Sequence, residues 1–307
     1  MSLAALPDQS WIDDLGPIDG LETVTWDMTS PPARADEIGL VVPPYLSAET
    51  RVELLADLPK LQVVQLLSAG YDSVSPHLPA GVTLCNASGV HDTATAELAL
   101  ALTLAGVRGI PQFVEAQREG QWLPAQIWPS LADSKVLVVG YGHVGTAIVR
   151  RLLPFEVEVT AVASRARAGD DLVETVHGID ELPALLPDHQ VVILIVPLLE
   201  STARLVDAGF LAAMPDGALL VNVARGGVVD TDALLAETRS GRLHAALDVT
   251  DPEPLPADHP LWHVPGVLIS PHVGGATDAM RPRALRLLRA QLTAYASGQP
   301  LANVIDL

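Results

Sequence analysis

The stretch KVLVVGYGHVGTAIVRRLL sets Gly140, Gly142 and Gly145 between an apolar run and an amphipathic one. At a strand-to-helix turn, the first glycine of such a set permits the tight turn. The second lets the backbone approach a pyrophosphate, and the third lets helix and strand pack closely. Backbone N–H groups at the helix start then face the anion. The loop of Gly140, Gly142, His143, Val144 and Gly145 is therefore expected to hold a dinucleotide, with the His143 side chain turned to solvent. About 20 residues downstream, a carboxylate would bond the adenosine ribose hydroxyls of NAD. Ala163 takes that place here, followed by Ser164 and Arg165, with Arg167 as a further candidate. Losing the acid removes a repulsion, and hydroxyl and guanidinium donors suit an extra phosphate. The pattern predicts NADP(H) in preference to NAD(H), which stays the second candidate cofactor.

Three later segments close predicted strands. Arg225 lies in VNVARGGVVD, Asp248 and Glu253 in LDVTDPEPLP, and His272 in SPHVGGAT. In open α/β sheets, ligands sit beyond the carboxyl ends of the strands. An arginine, a carboxylate and a histidine meeting there could bind an anion, orient an imidazole and move a proton. Asp251, two residues before Glu253, competes for the place beside the histidine.

The elements that must position these groups alternate short apolar strands with amphipathic stretches, the pattern of parallel sheets wrapped by helices. ETVTWD, IGLVVP, LQVVQLL and VTLCNA read as strands of a first series. SAETRVELLADL reads as a helix with Ser47 as N-cap and Glu49 and Glu53 early in it. A long helix is expected from Thr93 to Glu119. GQWLPAQIWPSLADS, with two prolines and little periodicity, reads as a connector. A second series follows in KVLVVG, EVTAVAS, VVILIVP, ALLVNVA, HAALDV and VLISPH, and TDAMRPRALRLLRAQLTAYASG is helical. Two series imply an α/β protein of two lobes, the final helix packing back on the first.

Composition narrows the partners. The 307 residues carry a formal charge of −19, and Lys60 and Lys135 are the only lysines. Such a surface repels nucleic-acid backbones and anionic membranes, so neither is an expected partner. No apolar run approaches the ~20 residues that cross a bilayer. The N-terminus lacks a basic start and a signal-length apolar core, so the protein is read as cytoplasmic. Cys85 is the only cysteine and reads as a buried strand residue. No metal ion is expected.

In this order, the quoted motifs resemble the D-isomer-specific 2-hydroxyacid dehydrogenases, most strongly from Gly140 to Thr277. LLSAGYDSV and CNASGVHDTATAELAL fit the same pattern earlier in the chain. The resemblance implies a Rossmann doubly wound nucleotide-binding domain at 96–274 and a flavodoxin-like, discontinuous substrate-binding domain at 1–95 and 275–307. It assigns His272 as general acid and Glu253 as its partner, holding the tautomer and favouring the imidazolium. Arg225 would clamp the carboxylate of a small anionic 2-oxo or 2-hydroxy acid. Backbone N–H groups of Ala69 and Gly70 would take the other carboxylate oxygen, and loops at Pro43–Leu46 and Ser68–Tyr71 would shape the pocket. Asp248 would lie near the nicotinamide carboxamide. Pro197 and Thr202 of VPLLESTARL match the family's cofactor loop, whereas Leu199 replaces a commonly polar residue. Val223, Ala224, His272 and Gly274 complete the cofactor residues. Family members are typically homodimers, joined through the nucleotide lobe and the long helix. The implied activity is reduction of small 2-oxo acids such as glyoxylate and hydroxypyruvate. The alternatives are a phosphite or phosphoglycerate dehydrogenase and a non-catalytic, dinucleotide-sensing corepressor. A formate enzyme is disfavoured, because that branch carries glutamine where Glu253 stands.

Overall fold

The computed structural model describes residues 2–45, 47 and 49–307. The chain divides into two compact units, Met1–His91 with Asp278–Leu307, and Asp92–Thr277.

In the first unit, β1 (Ser2–Leu6), α1 (Gln9–Leu15), β2 (Leu21–Thr25), β3 (Ile38–Val41), β4 (Val63–Gln65) and β5 (Thr83–Cys85) precede a return by the helix Met280–Ala296. The parallel sheet runs β2-β1-β3-β4-β5, the flavodoxin-like order. Side chains alternate across a strand, and here both faces are buried. Ala4 and Leu6 join one core with Leu15, Leu40, Leu288 and Leu292. Leu3 and Ala5 join the opposite core with Ile38, Val41, Leu54 and Leu55. Cys85 is fully buried.

The second unit begins with α2 (Asp92–Val107) and α3 (Ile110–Arg118). Its sheet is built from β6 (Lys135–Val139), β7 (Glu158–Ala163), β8 (Arg167–Ala168), β9 (Thr175–Gly178), β10 (Val191–Leu194), β11 (Leu219–Asn222), β12 (His244–Leu247) and β13 (Val267–Ile269). Helices α4 (His143–Leu152), α5 (Leu182–Leu185), α6 (Ala208–Ala213) and α7 (Thr231–Arg239) lie between strands in sequence. The order is β13-β12-β11-β10-β6-β7-β9-β8, with only the β8–β9 pair antiparallel. This is a Rossmann arrangement. The chain reverses direction across the sheet between β6 and β10, where ligands of such sheets bind. Val136 and Val138 point into one core, and Leu137 and Val139 into the other, so β6 reads as a continuous apolar run.

Two expected elements differ. SAETRVELLADL forms only a 3₁₀ helix, Val52–Asp57, preceded by Arg51 without a side-chain cap. Ser47 is exposed outside it, and Leu46 and Ala48 lie outside the described residues. A short 3₁₀ piece suffices to turn Leu54, Leu55 and Leu58 into one core before Pro59 stops it. The long helix breaks at Gly109 into α2 and α3, bent by 68°. Gly109 has φ +66, and a Cβ there would collide with the Trp128 ring, so only glycine serves. The strands Ser2–Leu6, Arg167–Ala168 and Thr175–Gly178 were not legible. Among the described residues, no single helix is long and apolar enough to cross a membrane.

Candidate active site

The glycine loop leaves β6 at the point where the sheet order reverses. Gly140 has φ +112, and a Cβ there would meet the Ile195 carbonyl; one at Gly145 would meet the Gly140 carbonyl. These two glycines are required by packing. A Cβ at Gly142 would meet nothing within 4 Å, so this glycine leaves backbone open to a ligand at the start of α4. The His143 side chain is 78% exposed, 3.9 Å from the Asp92 carboxylate. The Val144 side chain packs on the core, which leaves only its backbone to face a ligand.

Ala163 closes β7, and Ser164 and Arg165 stand exposed beyond it. Arg167 is differently engaged. Its Nη2 donates to the Tyr141 carbonyl at 2.9 Å, and its guanidinium lies 5.9 Å from the centre of the Tyr141 ring. The Tyr141 hydroxyl donates to both Asp170 oxygens, at 2.9 and 3.0 Å. Burial and the adjoining Asp170 carboxylate push the Tyr141 phenol up to about 12.

Past β11, the buried Asn222 shapes the turn that carries Arg225. Its Oδ1 accepts from Ala224 N at 3.0 Å, and its Nδ2 donates to the Arg225 carbonyl at 3.0 Å. The half-buried Arg225 guanidinium donates to the Ala224 carbonyl at 2.8 Å. Gly226 follows because a Cβ there would strike the Thr250 carbonyl. That close approach joins the Arg225 turn to the loop bearing Glu253.

Glu253 and His272 meet directly: Oε1 lies 2.5 Å from Nδ1, each side chain 40% exposed. Nδ1–H donating to the carboxylate leaves Nε2 as the nitrogen able to exchange a proton with a ligand. Asp251 is not the partner in this arrangement; its carbonyl accepts from the Thr231 hydroxyl at 2.7 Å. His272 itself has φ +53, an uncommon conformation for a non-glycine residue. The buried Asp248 holds it there. One oxygen accepts from Ser270 Oγ at 2.6 Å and Val273 N at 2.9 Å, the other from Gly274 N at 2.9 Å. The Asp248 carbonyl accepts from His272 N at 2.7 Å.

A dinucleotide-binding turn and a carboxylate-supported imidazole thus follow parallel strands of one sheet. A profile of the D-isomer specific 2-hydroxyacid dehydrogenase NAD binding domain matches residues 100–274. The chain belongs to this family. The human glyoxylate reductase/hydroxypyruvate reductase is 32% identical over 254 residues, covering 80% of this chain and 77% of the relative. A D-isomer specific 2-hydroxyacid dehydrogenase from Xanthobacter autotrophicus Py2, solved with NADPH and MES, superimposes with TM-score 0.84 at 29% identity, covering 99% and 98% of the two chains. An NADPH-dependent glyoxylate/hydroxypyruvate reductase from Sinorhizobium meliloti, solved with citrate, gives TM-score 0.83 at 26% identity, covering 99% and 98%. This 2-hydroxyacid dehydrogenase is an oxidoreductase with a nicotinamide cofactor, and the open backbone at Gly142 fits that group.

Other expected residues are placed less directly. Thr202 Oγ1 donates to the Pro197 carbonyl at 2.6 Å and accepts from Leu199 N at 2.8 Å. It closes the loop after β10 on itself, with Leu199 exposed. Val223 and Ala224 are buried. In the first unit, Ser68 Oγ donates to the Gly70 carbonyl at 2.7 Å, and Asn86 Nδ2 to the Ala69 carbonyl at 2.8 Å. Both carbonyls are thereby fixed, which sets the direction of the intervening peptide. His91 is buried, its Nε2 2.6 Å from the Leu67 carbonyl and its ring stacked on Tyr45. Asn222, Tyr141 and Asp170 were missed in the sequence because their partners are backbone groups or lie in a different motif.

Proposed function

We propose that this dehydrogenase is an NADPH-preferring reductase of small 2-oxo acids, giving D-2-hydroxy acids of the glyoxylate and hydroxypyruvate class. The observation that carries the reading is the Glu253–His272 pair on a loop fixed by Asp248. His272 Nε2 protonates the substrate carbonyl oxygen, and Glu253 holds the ring and favours the imidazolium that gives up the proton. Arg225 clamps the substrate carboxylate and polarises its carbonyl, with the N–H groups of Ala69 and Gly70 assigned to the other oxygen. The nicotinamide, when bound, supplies the hydride. Gly140–Gly145 hold its pyrophosphate, and Ser164 and Arg165 meet an adenosine 2′-phosphate where Ala163 leaves no opposing acid. The similar structure solved with NADPH and the NADPH-dependent reductase support this preference.

The test follows reduced-nicotinamide absorbance with a panel of 2-oxo acids, each assayed with NADPH and NADH. Turnover of glyoxylate or hydroxypyruvate is expected, with kcat/KM at least about tenfold higher for NADPH, the worth of one charged hydrogen bond. Equal rates with the two cofactors would remove the NADPH preference. Tight cofactor binding without turnover of any acid would favour a corepressor-like sensor, and oxidation of phosphite or phosphoglycerate alone would move the substrate class.

We further propose a homodimer formed through the second unit. Ile110, Phe113 and Val114 on α3, with Trp122 and Ile127 on the connector, are exposed large apolar side chains, and Trp122 is 98% exposed. Large apolar side chains exposed along successive elements suit an interaction surface. Light scattering is expected to return the mass of two chains, and a monomer from the Trp122→Glu/Ile127→Glu double variant.

A further inference from the structure

We propose that Arg167 is a positioning residue: it sets the phosphate loop through Tyr141 and leaves recognition of an adenosine 2′-phosphate to Ser164 and Arg165. The inference rests on the NADPH reading above for the role of Arg165, but not for its own geometry. Tyr141 stands between Gly140 and Gly142, where the backbone must present N–H groups to a pyrophosphate. A carbonyl swung toward that anion would repel it. The Tyr141 carbonyl is held by Arg167 Nη2 at 2.9 Å, which fixes the plane of the peptide between Tyr141 and Gly142. The guanidinium is itself oriented by that bond and by the Tyr141 ring beside it.

The far end of Tyr141 is tied to the same hairpin. Arg167 pairs with Val176 across β8 and β9. Three residues on, Asp170 takes the Tyr141 hydroxyl with both oxygens. Asp170 also accepts from Leu172 N at 2.9 Å, and Gly169 N donates to the Glu174 carbonyl at 3.0 Å, so the hairpin tip is rigid on its own account. The result is a closed circuit from the Tyr141 carbonyl to Arg167, along the hairpin to Asp170, and back to the Tyr141 hydroxyl. Tyr141 is 6% exposed and forms the buried side of this circuit. The circuit joins the loop after β6, which serves any dinucleotide, to the β8–β9 hairpin. Ser164 and Arg165 lie outside it, exposed at the end of β7.

The experiment measures dissociation constants of NADPH, NADH and adenosine 2′-monophosphate for the wild type, Arg165→Ala, Arg167→Ala and Arg167→Lys. The monophosphate carries the 2′-phosphate and no 5′-phosphate, so it leaves the phosphate loop empty. Arg165→Ala is expected to weaken NADPH and the monophosphate about tenfold and to leave NADH unchanged. Arg167→Ala is expected to weaken NADPH and NADH alike, about fivefold, and to leave the monophosphate unchanged. Its kcat at saturating cofactor should stay at the wild-type value while KM for both cofactors rises. Arg167→Lys, whose ammonium can still donate to the Tyr141 carbonyl, should restore both affinities to within about twofold. Selective loss of NADPH and the monophosphate in Arg167→Ala would make Arg167 a 2′-phosphate ligand and overturn the proposal. So would unchanged affinity for all three ligands, or no rescue by lysine. Failure of the NADPH reading shows elsewhere, as a wild type without cofactor preference and an Arg165→Ala variant without effect.

Discussion

Replacing His272 by alanine is expected to lower kcat for 2-oxo acid reduction about a thousandfold, within the range that a positioned general acid contributes. The dissociation constant for NADPH should stay within about threefold of wild type. The separation follows from geometry. The imidazole is held by Glu253 at 2.5 Å and by its loop, whereas the dinucleotide is assigned to Gly140–Gly145. Truncation removes the proton donor and leaves Glu253, 40% exposed, to be hydrated, so the fold should tolerate the change. Glu253→Gln is the companion variant. A glutamine can still bond Nδ1, but it no longer favours the imidazolium, and where its amide donates to Nδ1 the ring stays neutral, with an Nε2–H that is a poor acid. A loss of about tenfold to a hundredfold in kcat is expected there. Single-turnover mixing of the NADPH complex with hydroxypyruvate isolates the chemical step from product release. A His272→Ala variant retaining more than about a tenth of the wild-type single-turnover rate would contradict the assignment of His272 as the acid.

What the sequence made legible was whatever is encoded by spacing. Three glycines after an apolar run announce the phosphate loop because each answers a backbone requirement, and the structure gives Gly140, Gly142 and Gly145 three different surroundings. The strand series was legible because both faces of each parallel sheet are buried, so strands such as Val191–Leu194 carry no polar side chain. The break at Gly109 was also encoded, as a glycine followed two residues later by a proline, the usual stop and start of successive helices. The apolar periodicity running through it masked the signal. Other features have no sequence signature. Arg167 reads as a phosphate ligand because it is an arginine near Arg165; its bond to the Tyr141 carbonyl is visible only in the fold. Hairpin strands as short as Arg167–Ala168 are specified by pairing and by the turn at Asp170, not by composition.

Asp248 is the strongest case of a role that composition hides, since two of its side chain's three partners are backbone amides. Asp248→Ala is expected to destabilise the protein by about 3 kcal/mol, because it strands the buried donor at Gly274, removes the acceptor of Val273 N and leaves the Ser270 hydroxyl without its 2.6 Å acceptor. The left-handed backbone of His272, φ +53, costs of order 1 kcal/mol or more and persists only while its surroundings over-determine it. Released from Asp248, the loop can relax and carry the imidazole away from Glu253. A displacement of about 1 Å at a reacting group can cost a hundredfold, so kcat/KM should fall by that factor or more. Asp248→Asn separates bonding from shape. Its amide oxygen can replace the acceptor shared by Ser270 and Val273, but its NH₂ would then oppose the Gly274 N–H, which needs an acceptor. The asparagine variant should therefore lose about 2 kcal/mol and fall between wild type and alanine in both melting temperature and kcat/KM. A direct contact with the nicotinamide carboxamide predicts a different pattern, with cofactor affinity falling while the melting temperature of the cofactor-free enzyme holds. Thermal melts of the cofactor-free variants, set beside NADPH titrations, distinguish the two. An Asp248→Ala protein as stable as wild type would refute the loop-holding role.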